Sequence, residues 1–477
     1  MSRVYLLWVP ILLLVAACRS HEDKIYAFRT AYVDADFARA DRELDLLIAK
    51  EAKVEVELVE RTCALDYEVD VEEGDTSLYM MEKSFVQLGM GNLDCSLDLL
   101  RRVREYLDPR LADKNVGAYF GSLAVDDAVV EFAAADYEHV LVRTMLAIID
   151  LLMGGDDAYA YAIQIDQKQE EILGSPFGLG LTSEDGEDIS YSPASQYDRV
   201  AIGAYLVGVV QESQRDFDEA SKAYARALEW SGGVGVIDSA LRETNGDVRP
   251  PEGAGLVHVF YLGGSGPQLA QGTAPITDLA LSLAKWVSIF QTEYGIGTLG
   301  QAPIPVPVVA PIDPVVPPLW IRSEAGEART ELLLDVNVVA QQQLEANMPW
   351  IVARGIVRRA LKTAAVDAAT EGARRNDQGW GNFLGLLANV VVTVGERADT
   401  RNWTTLPSQF QVARLYLEEG VHSLDFGVAG QATLSVRRGG SSFVVVLQPN
   451  LELPAAIQVD RLSRVEVETP IPMLTEP

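Results

Sequence analysis

Histidine and cysteine are scarce in this chain, which has four His and three Cys among 477 residues. They leave little material for a zinc ribbon or a multi-histidine centre, so we expect no metal and no cofactor. Positive charge is also in short supply, because 39 Lys and Arg face 69 Asp and Glu, which gives a net charge of −30. Nucleic-acid binders concentrate Lys and Arg against phosphates, and the deficit therefore excludes DNA and RNA as expected partners.

Long hydrophobic runs are missing after the N-terminus. The most apolar later stretch, 383–394, has 12 residues, whereas a membrane-spanning helix needs about 20. We therefore expect a buried helix or strand there.

The N-terminus has the three parts of a bacterial export signal. Arg3 supplies positive charge, residues 4–15 are apolar, and Ala16, Ala17 and Cys18 follow as a small-residue cleavage site that ends in cysteine. This order resembles a lipobox, in which the cysteine is lipidated and the peptide is cut before it. The sequence thus predicts a signal peptide over 1–17, a lipidated Cys18 and a tether over 18–24.

The predicted anchor also predicts a location. Two or more acyl chains on Cys18 would hold the chain stably at a membrane, whereas a single chain binds only marginally. Arg19 stands where inner-membrane retention signals resemble an Asp. We therefore expect an outer-membrane lipoprotein that faces the periplasm or the cell surface.

Residues 25–232 contain one short pattern four times. Each copy has an Asn or Asp able to cap a helix, followed four positions later by a small residue where a neighbouring helix can approach. The copies lie at 36–40, 92–96, 156–160 and 216–220. We predict four helical hairpins.

The last hairpin is the most similar to a tetratricopeptide repeat. The predicted packing residues at its small and large positions are Gly208, Phe217, Ala220, Tyr224 and Ala227. The match is partial, because Gln211 replaces the usual aromatic residue and Gly232 the usual proline. Spacings near 60 residues predict irregular hairpins or long insertions rather than a regular solenoid.

Turn-forming residues separate the remaining elements. We predict a surface loop over 174–193, a linker over 233–254 and an extended tail over 461–477. Residues 255–460 should form a mixed α/β domain, for a fold of the α+β class.

The expected elements of this second domain follow from local pattern. They are a strand at 256–262, a helix at 276–294, extended backbone at the proline-rich 303–318, a long helix over 336–370 kinked or divided at Pro349, a second helix through 394, and an antiparallel β-meander of strands 410–417, 421–428, 431–436 and 442–447.

Two motifs and the order of these segments carry a family resemblance. The motifs are 136–141 (DYEHVL) and 398–407 (ADTRNWTTLP), of which the second is the more specific. With the lipobox, the single repeat and the proline-rich run, they resemble a family of uncharacterised bacterial lipoproteins that contain a tetratricopeptide repeat. The resemblance implies this architecture and implies no activity.

The second motif contains the most distinctive residues outside the anchor: Asp399, Arg401, Trp403 and Pro407. They could form a structural clamp between a helix and the sheet, with Trp403 filling the junction and the charged pair satisfying backbone groups. They could instead form an interface or ligand site, because Trp and Arg often anchor interfaces. We favour the clamp.

Other candidate sites have simpler interpretations. Arg354, Arg358 and Lys362 recur every four residues with Arg359 beside them, and we expect a solvated basic face rather than a grip on an acidic partner. The four histidines should be structural or exposed. Whether Cys63 and Cys95 pair in an oxidising compartment stays open, because pairing depends on geometry.

Two function classes are compatible with the sequence. The first is a non-catalytic, lipid-anchored envelope scaffold whose hairpins present a groove to another envelope protein. The second is a cell-wall hydrolase that uses paired carboxylates. Catalytic motifs are lacking, so we expect the scaffold and no enzymatic activity.

Overall fold

A computed structural model describes residues 21–60, 71, 74–112, 132–174, 179–182, 188–191, 193–289, 303–310, 315–374 and 397–465. Cys18, Cys63 and the predicted helix that leads to residue 394 lie outside this part of the chain. The described chain has the predicted α+β class, with helices in the first half and sheets in the second. Within the described ranges, no helix combines the length and apolarity needed to cross a membrane.

Nine α-helices lie in the described part of residues 21–231. They are α1 (His21–Val33), α2 (Phe37–Glu51), α3 (Val56–Glu60), α4 (Thr76–Met90), α5 (Leu93–Ala112), α6 (Asp136–Met153), α7 (Ala158–Leu173), α8 (Ile202–Ser213) and α9 (Phe217–Ser231). Pairs α1–α2, α4–α5, α6–α7 and α8–α9 form antiparallel hairpins, and each hairpin packs on the next. The predicted stack of four hairpins is confirmed.

The repeated sequence pattern marks the start of the second helix in every hairpin. Asp36 caps α2 by accepting a hydrogen bond from the backbone N–H of Arg39, and Asp216 caps α9 through the N–H of Glu219. In the third copy the cap position is Asp157, one residue later than the start of the pattern. Asp157 makes no side-chain cap bond, so local capping sets where α2 and α9 begin.

Four of the five residues predicted to pack in the last hairpin are buried, and Phe217 is not. Ala220, Tyr224 and Ala227 are fully buried, and a Cβ on Gly208 would lie 2.5 Å from the Tyr224 ring. Phe217 does not pack inside the hairpin, because 49% of its surface is exposed. It is the first residue of α9 and projects from the hairpin turn.

Three predicted irregular segments contain regular structure. The predicted linker includes helix α10 (Gly235–Thr244), because Ile237 and Ala240 bury one apolar face against α9. The predicted loop contains the antiparallel hairpin β1 (Leu179–Thr182) and β2 (Asp188–Tyr191). The predicted tether is shorter than expected, because α1 already begins at His21.

The second half contains most of the strands and two further helices. The strands are β3 (Ala254–Gly263), β4 (Leu269–Ala274), β5 (Ile304–Val309), β6 (Trp320–Ser323), β7 (Gly326–Arg329), β8 (Glu331–Asp335), β9 (Gln409–Glu418), β10 (Gly420–Asp425), β11 (Gln431–Val436), β12 (Ser441–Gln448) and β13 (Ala456–Val459). The helices are α11 (Asp278–Ile289) and α12 (Val336–Arg374), and Pro349 lies within α12 without dividing it.

The predicted strands exist, but they do not form a consecutive meander. One sheet has the order β13-β12-β3-β9-β8, with β12 parallel to β3, and a second has the order β11-β10-β6-β7. Only β10 and β11 among the four predicted meander strands pair with each other. The physical reason lies in β3, which is buried along nearly its whole length and therefore takes a central position between β9 and β12.

The five-stranded sheet is buried on both faces. Phe260, Phe410 and Val445 face the hairpins and share one apolar core with them. Val259 and Val444 face the opposite way, into a core shared with the four-stranded sheet. The helical half and the sheets are thus packed in three layers, with a separate small core formed by α11, α12, β4 and β5.

The start of the predicted tail is folded. The side chain of Asp460 accepts hydrogen bonds from the N–H groups of Leu462 and Ser463, and Arg464 pairs with Leu434 of β11. These bonds make a turn that returns the chain to the sheet. Residues 466–477 lie beyond the described part.

Candidate interface and cavity between the two halves

Residues 399–407, here called the bridge segment, lie between α12 and β9 in the chain and contact the hairpins. Arg401 donates to Asp399 through Nε and Nη2, at 2.9 and 2.7 Å. Its Nη1 donates to Oδ1 of Asp75, at the start of α4, over 2.7 Å. Arg401 therefore connects the C-terminal half to the second hairpin.

Two buried carboxylates of the hairpins hold the backbone of the bridge segment. Oε1 of Glu82 on α4 accepts from the N–H and the hydroxyl of Thr404 at 2.7 and 2.8 Å, and Oε2 accepts from the N–H of Thr405 at 2.8 Å. Oε1 of Glu138 on α6 accepts from the N–H of Trp403 at 2.7 Å. Three consecutive backbone N–H groups thus donate hydrogen bonds to two side chains of the helical half.

The indole of Trp403 is fully buried against the same helices. Its ring meets Phe85 of α4 edge to face, with 5.4 Å between ring centroids. The indole N–H donates to Oγ1 of Thr405 at 3.0 Å, and the hydroxyl of Tyr32 donates to the carbonyl of Thr405 at 2.9 Å. Pro407 is also buried. These contacts are those of a structural clamp, and they join the sheet side to the hairpins.

Burial changes the acidity of both carboxylates. Loss of solvent raises the pKa of Glu138 to about 7, although the N–H groups of Trp403 and Ala135 oppose the change. Burial also raises the pKa of Glu82, against hydrogen bonds from Thr405 and Thr404. The negative charge of Glu82 raises the pKa of Glu138 further.

A third acid makes an equivalent contact farther along the stack. Glu212 on α8 is ion-paired with Arg414 of β9 and accepts from the hydroxyl of Tyr224 at 2.7 Å. Arg414 also pairs with Glu243 of α10 at 2.9 Å. The inner face is the side of α4, α6 and α8 that carries Glu82, Glu138 and Glu212. Each of these three acids binds the C-terminal half.

A cavity of about 750 Å³ lies beside this interface. Its described walls include residues 133–138 at the start of α6, the end of α7 from Glu171, one face of α12, and strands β4 and β5. Further lining comes from Pro193, Ala194, Tyr197, Ala398, Asp399, Arg401 and Asn402. Asp399 and Arg401 therefore border the cavity, whereas Trp403 and Pro407 lie outside its described lining. Local sequence patterns do not predict this space, because its walls come from distant parts of the chain.

The basic residues of α12 differ from the prediction of a solvated face. Arg358 and Arg359 are 5% and 6% exposed. Arg354 and Arg358 line the cavity, and Arg359 donates to the carbonyl of Pro303 at 3.2 Å. The side chain of Lys362 lies outside the described part of the chain. Arg358 and Arg359 are thus buried and Arg354 is partly buried, in a part of α12 that packs against β5.

The histidines and cysteines occupy separate places. His139 and His258 are buried, and burial lowers the pKa of His258 well below its ordinary value, with Arg414 adding to the effect. His21 is partly buried and stacks on Tyr79, and His422 is partly buried on β10. Cys95 is disulfide-bonded. Among the described residues, no group of three or more His, Cys, Asp or Glu is placed to hold a metal.

The inner-face acids are the functional residues that the sequence reasoning missed. Their signal was present, because Glu82 and Glu138 interrupt apolar helical stretches where an unpaired charge would be costly. No family model, curated protein or solved structure matches this chain. The site is therefore interpreted from its own geometry.

Replacing Trp403 with Ala should lower the free energy of unfolding by about 3–5 kcal/mol, because a large, fully buried ring is lost at the junction. Trp320→Ala is the matched control, since that ring is 50% exposed on β6. Denaturant midpoints of both variants test the clamp. A Trp403→Ala protein as stable as the control would contradict it.

Glu138→Gln should flatten the pH dependence of stability. Because the folded pKa of Glu138 lies near 7, above its unfolded value, the native state keeps this proton between about pH 4.5 and 7 while the unfolded chain loses it. Stability then falls as pH rises through this window, by up to about 3 kcal/mol. Denaturant titrations at pH 5 and 8 should show that the free energy of unfolding falls less between these two pH values in Glu138→Gln than in wild type. Equal losses would argue against an uncharged buried Glu138.

Proposed function

We propose that the chain is a lipid-anchored, non-catalytic envelope scaffold that binds another envelope protein. The main support is the bonding of the inner-face acids. Both oxygens of Glu82 accept bonds from Thr404 and Thr405, and both oxygens of Glu138 accept backbone N–H bonds, from Trp403 and Ala135. The hydrogen-bonding capacity of these two carboxylates is therefore used to stabilise the fold.

The hydrolase alternative would need a carboxylic acid that can pass its proton to a substrate and a second carboxylate beside it. Glu138 is the strongest candidate, because it borders the cavity and has a raised pKa. Its two oxygens, however, face backbone donors at 2.7 and 2.8 Å, and its residue is 1% exposed. A group so placed suits a structural role better than general acid catalysis.

The surface offered to a partner differs from the groove expected from sequence. The inner face of the hairpins is covered by the chain's own C-terminal half, so another surface must be used. We propose the turn edge, a set of exposed apolar residues next to hairpin turns: Met90, Tyr159, Phe217 and Leu462. Leu462 packs within 3.3 Å of the position that a Cβ on Gly154, in the α6–α7 turn, would occupy. Exposed aromatic residues of this kind commonly anchor interfaces.

The anchor would keep the body of the protein near the membrane. In sequence, Cys18 precedes His21 by three residues, and His21 already belongs to α1 and stacks on Tyr79. Three residues of extended chain span at most about 10 Å. We propose that the lipidated protein lies close to the outer membrane and faces the periplasm or the cell surface.

Partner capture from detergent-solubilised envelopes tests this function. The doubly substituted Tyr159→Ala, Phe217→Ala protein should lose most of its captured partner, because two interface anchors are removed. Trp320→Ala removes an equally exposed ring away from the hairpin turns and should capture as wild type does. Equal capture by all three proteins would contradict the turn edge as the binding surface.

Fatty-acid labelling in the producing cell tests the anchor in the same strains. Wild type should incorporate the label and Cys18→Ser should not, since the thiol is the acylated group. Label retained by Cys18→Ser would contradict the lipoprotein assignment. The result is separate from partner capture, which can be measured on detergent-solubilised protein either way.

A further inference from the structure

Three side-chain amides line the cavity between the two halves. Gln343 and Asn347 lie one turn apart on α12, and Asn402 lies in the bridge segment. Gln343 and Asn402 are only 9% and 3% exposed. Amides buried to this degree are normally hydrogen-bonded at both the oxygen and the nitrogen. The cavity volume of about 750 Å³ lies in the range of small-molecule sites.

The protein binds one end of each amide on α12. Oε1 of Gln343 accepts from the N–H of Tyr137 at 2.8 Å. Nδ2 of Asn347 donates to the hydroxyl of Tyr197 and to the carbonyl of Gln343, both at 2.7 Å. These bonds use the oxygen of Gln343 and the nitrogen of Asn347. The remaining ends, a donor on Gln343 and an acceptor on Asn347, have no hydrogen-bond partner in the described chain and are one helical turn apart.

The third amide supplies a second acceptor. Nδ2 of Asn402 donates to a backbone carbonyl at 2.6 Å, and its Oδ1 has no donor in the described chain. The start of α6 connects this residue to the wall of α12. Glu138 accepts from the N–H of Trp403, the residue after Asn402, and the N–H of Tyr137 donates to Gln343. The three amides therefore border the same end of α6.

The charged residues of the described lining include both signs in equal number. They are three arginines and three acids: Arg354, Arg358, Arg401, Asp136, Glu171 and Asp399. Glu138 adds a fourth acid, and burial raises its pKa to about 7. A ligand of strong net charge would be attracted by one set and repelled by the other. The lining therefore favours an uncharged ligand that can both donate and accept hydrogen bonds.

Saccharide hydroxyl groups have this chemistry, because each is both a donor and an acceptor. They can accept from an amide nitrogen or a guanidinium and donate to an amide oxygen or a carboxylate. A peptide backbone also has donors and acceptors, but it commonly binds by adding a strand to a sheet edge. Pro305 and Pro307 are the residues of β5 in the described lining, and neither has an N–H to pair with an added strand.

We propose that this cavity binds an uncharged saccharide. Its hydroxyl groups accept from Nε2 of Gln343 and donate to Oδ1 of Asn347 and of Asn402. Leu344 and Ile351, on the same face of α12, provide apolar surface for the C–H groups of a sugar ring. The site goes beyond the scaffold function and is separate from the turn edge proposed for the protein partner.

Saturation-transfer NMR of the full chain, held in nanodiscs, tests the site, with empty nanodiscs as the blank. The probes are two uncharged disaccharides, cellobiose and di-N-acetylchitobiose. At least one of them should receive saturation that reaches a plateau on titration. Cellobiouronic acid, which adds one carboxylate, should bind more weakly than cellobiose, and the peptide N-acetyl-trialanine amide should give no transfer.

Variants of the amides make the test specific. Gln343→Glu keeps an acceptor for the N–H of Tyr137 but removes the donor that faces the ligand, so the disaccharide should bind roughly tenfold more weakly. Asn347→Ala removes one acceptor and should weaken binding by a similar factor. Gln341→Glu is the matched control, because Gln341 is exposed on the same helix and bonds to Glu345. It should bind as wild type does.

Thermal unfolding identifies a variant that fails to fold, and the other amide variant then decides the result. Four results would overturn the proposal: no transfer to either uncharged disaccharide, equal transfer to the peptide, binding of cellobiouronic acid as tight as that of cellobiose, or unchanged binding by a folded Gln343→Glu or Asn347→Ala protein. Partner capture is measured independently, so its failure would leave this result unchanged.

Discussion

The hydrogen bonds of Glu82 are the interaction on which the rest of the structure depends. This fully buried carboxylate takes donors from two consecutive residues, Thr404 and Thr405, across a sequence separation of 322 residues or more. Burying such a charge without partners would be very costly, so the two backbone N–H groups must remain in place. Their position determines where the bridge segment leaves the hairpins, and therefore where β9 begins at Gln409.

Everything beyond the bridge segment follows from that placement. With β9 fixed, β3 and β12 align beside it, and Phe260, Phe410 and Val445 complete one apolar core with the helices. The hairpin stack thus serves as the base on which the chain's own sheet is assembled. Repeat surfaces often bind other proteins, but here the inner face of the hairpins is an internal interface.

Features set by local chemistry could be predicted, whereas those set by distant contacts could not. Asp36 and Asp216 cap the helices that follow them, so the hairpins could be identified from sequence. Strand order was wrong because β3 lies some 150 residues before the strands it separates, and its central place depends on burial of both faces. The motif around Trp403 is distinctive enough to single out from sequence. Glu82 interrupts an apolar helical stretch, but the sequence does not show that its partners are Thr404 and Thr405, more than 320 residues away.

Hydrogen exchange of the backbone amides of Thr404 and Thr405 tests this account most directly. If Glu82 holds the two halves together, both amides should exchange as slowly as those of Val259 and Val445 in the central strands, because they open only when the shared core opens. They should also exchange much faster in Glu82→Ala. Rapid exchange of Thr404 and Thr405 in the wild-type protein, with the central strands still protected, would contradict the account.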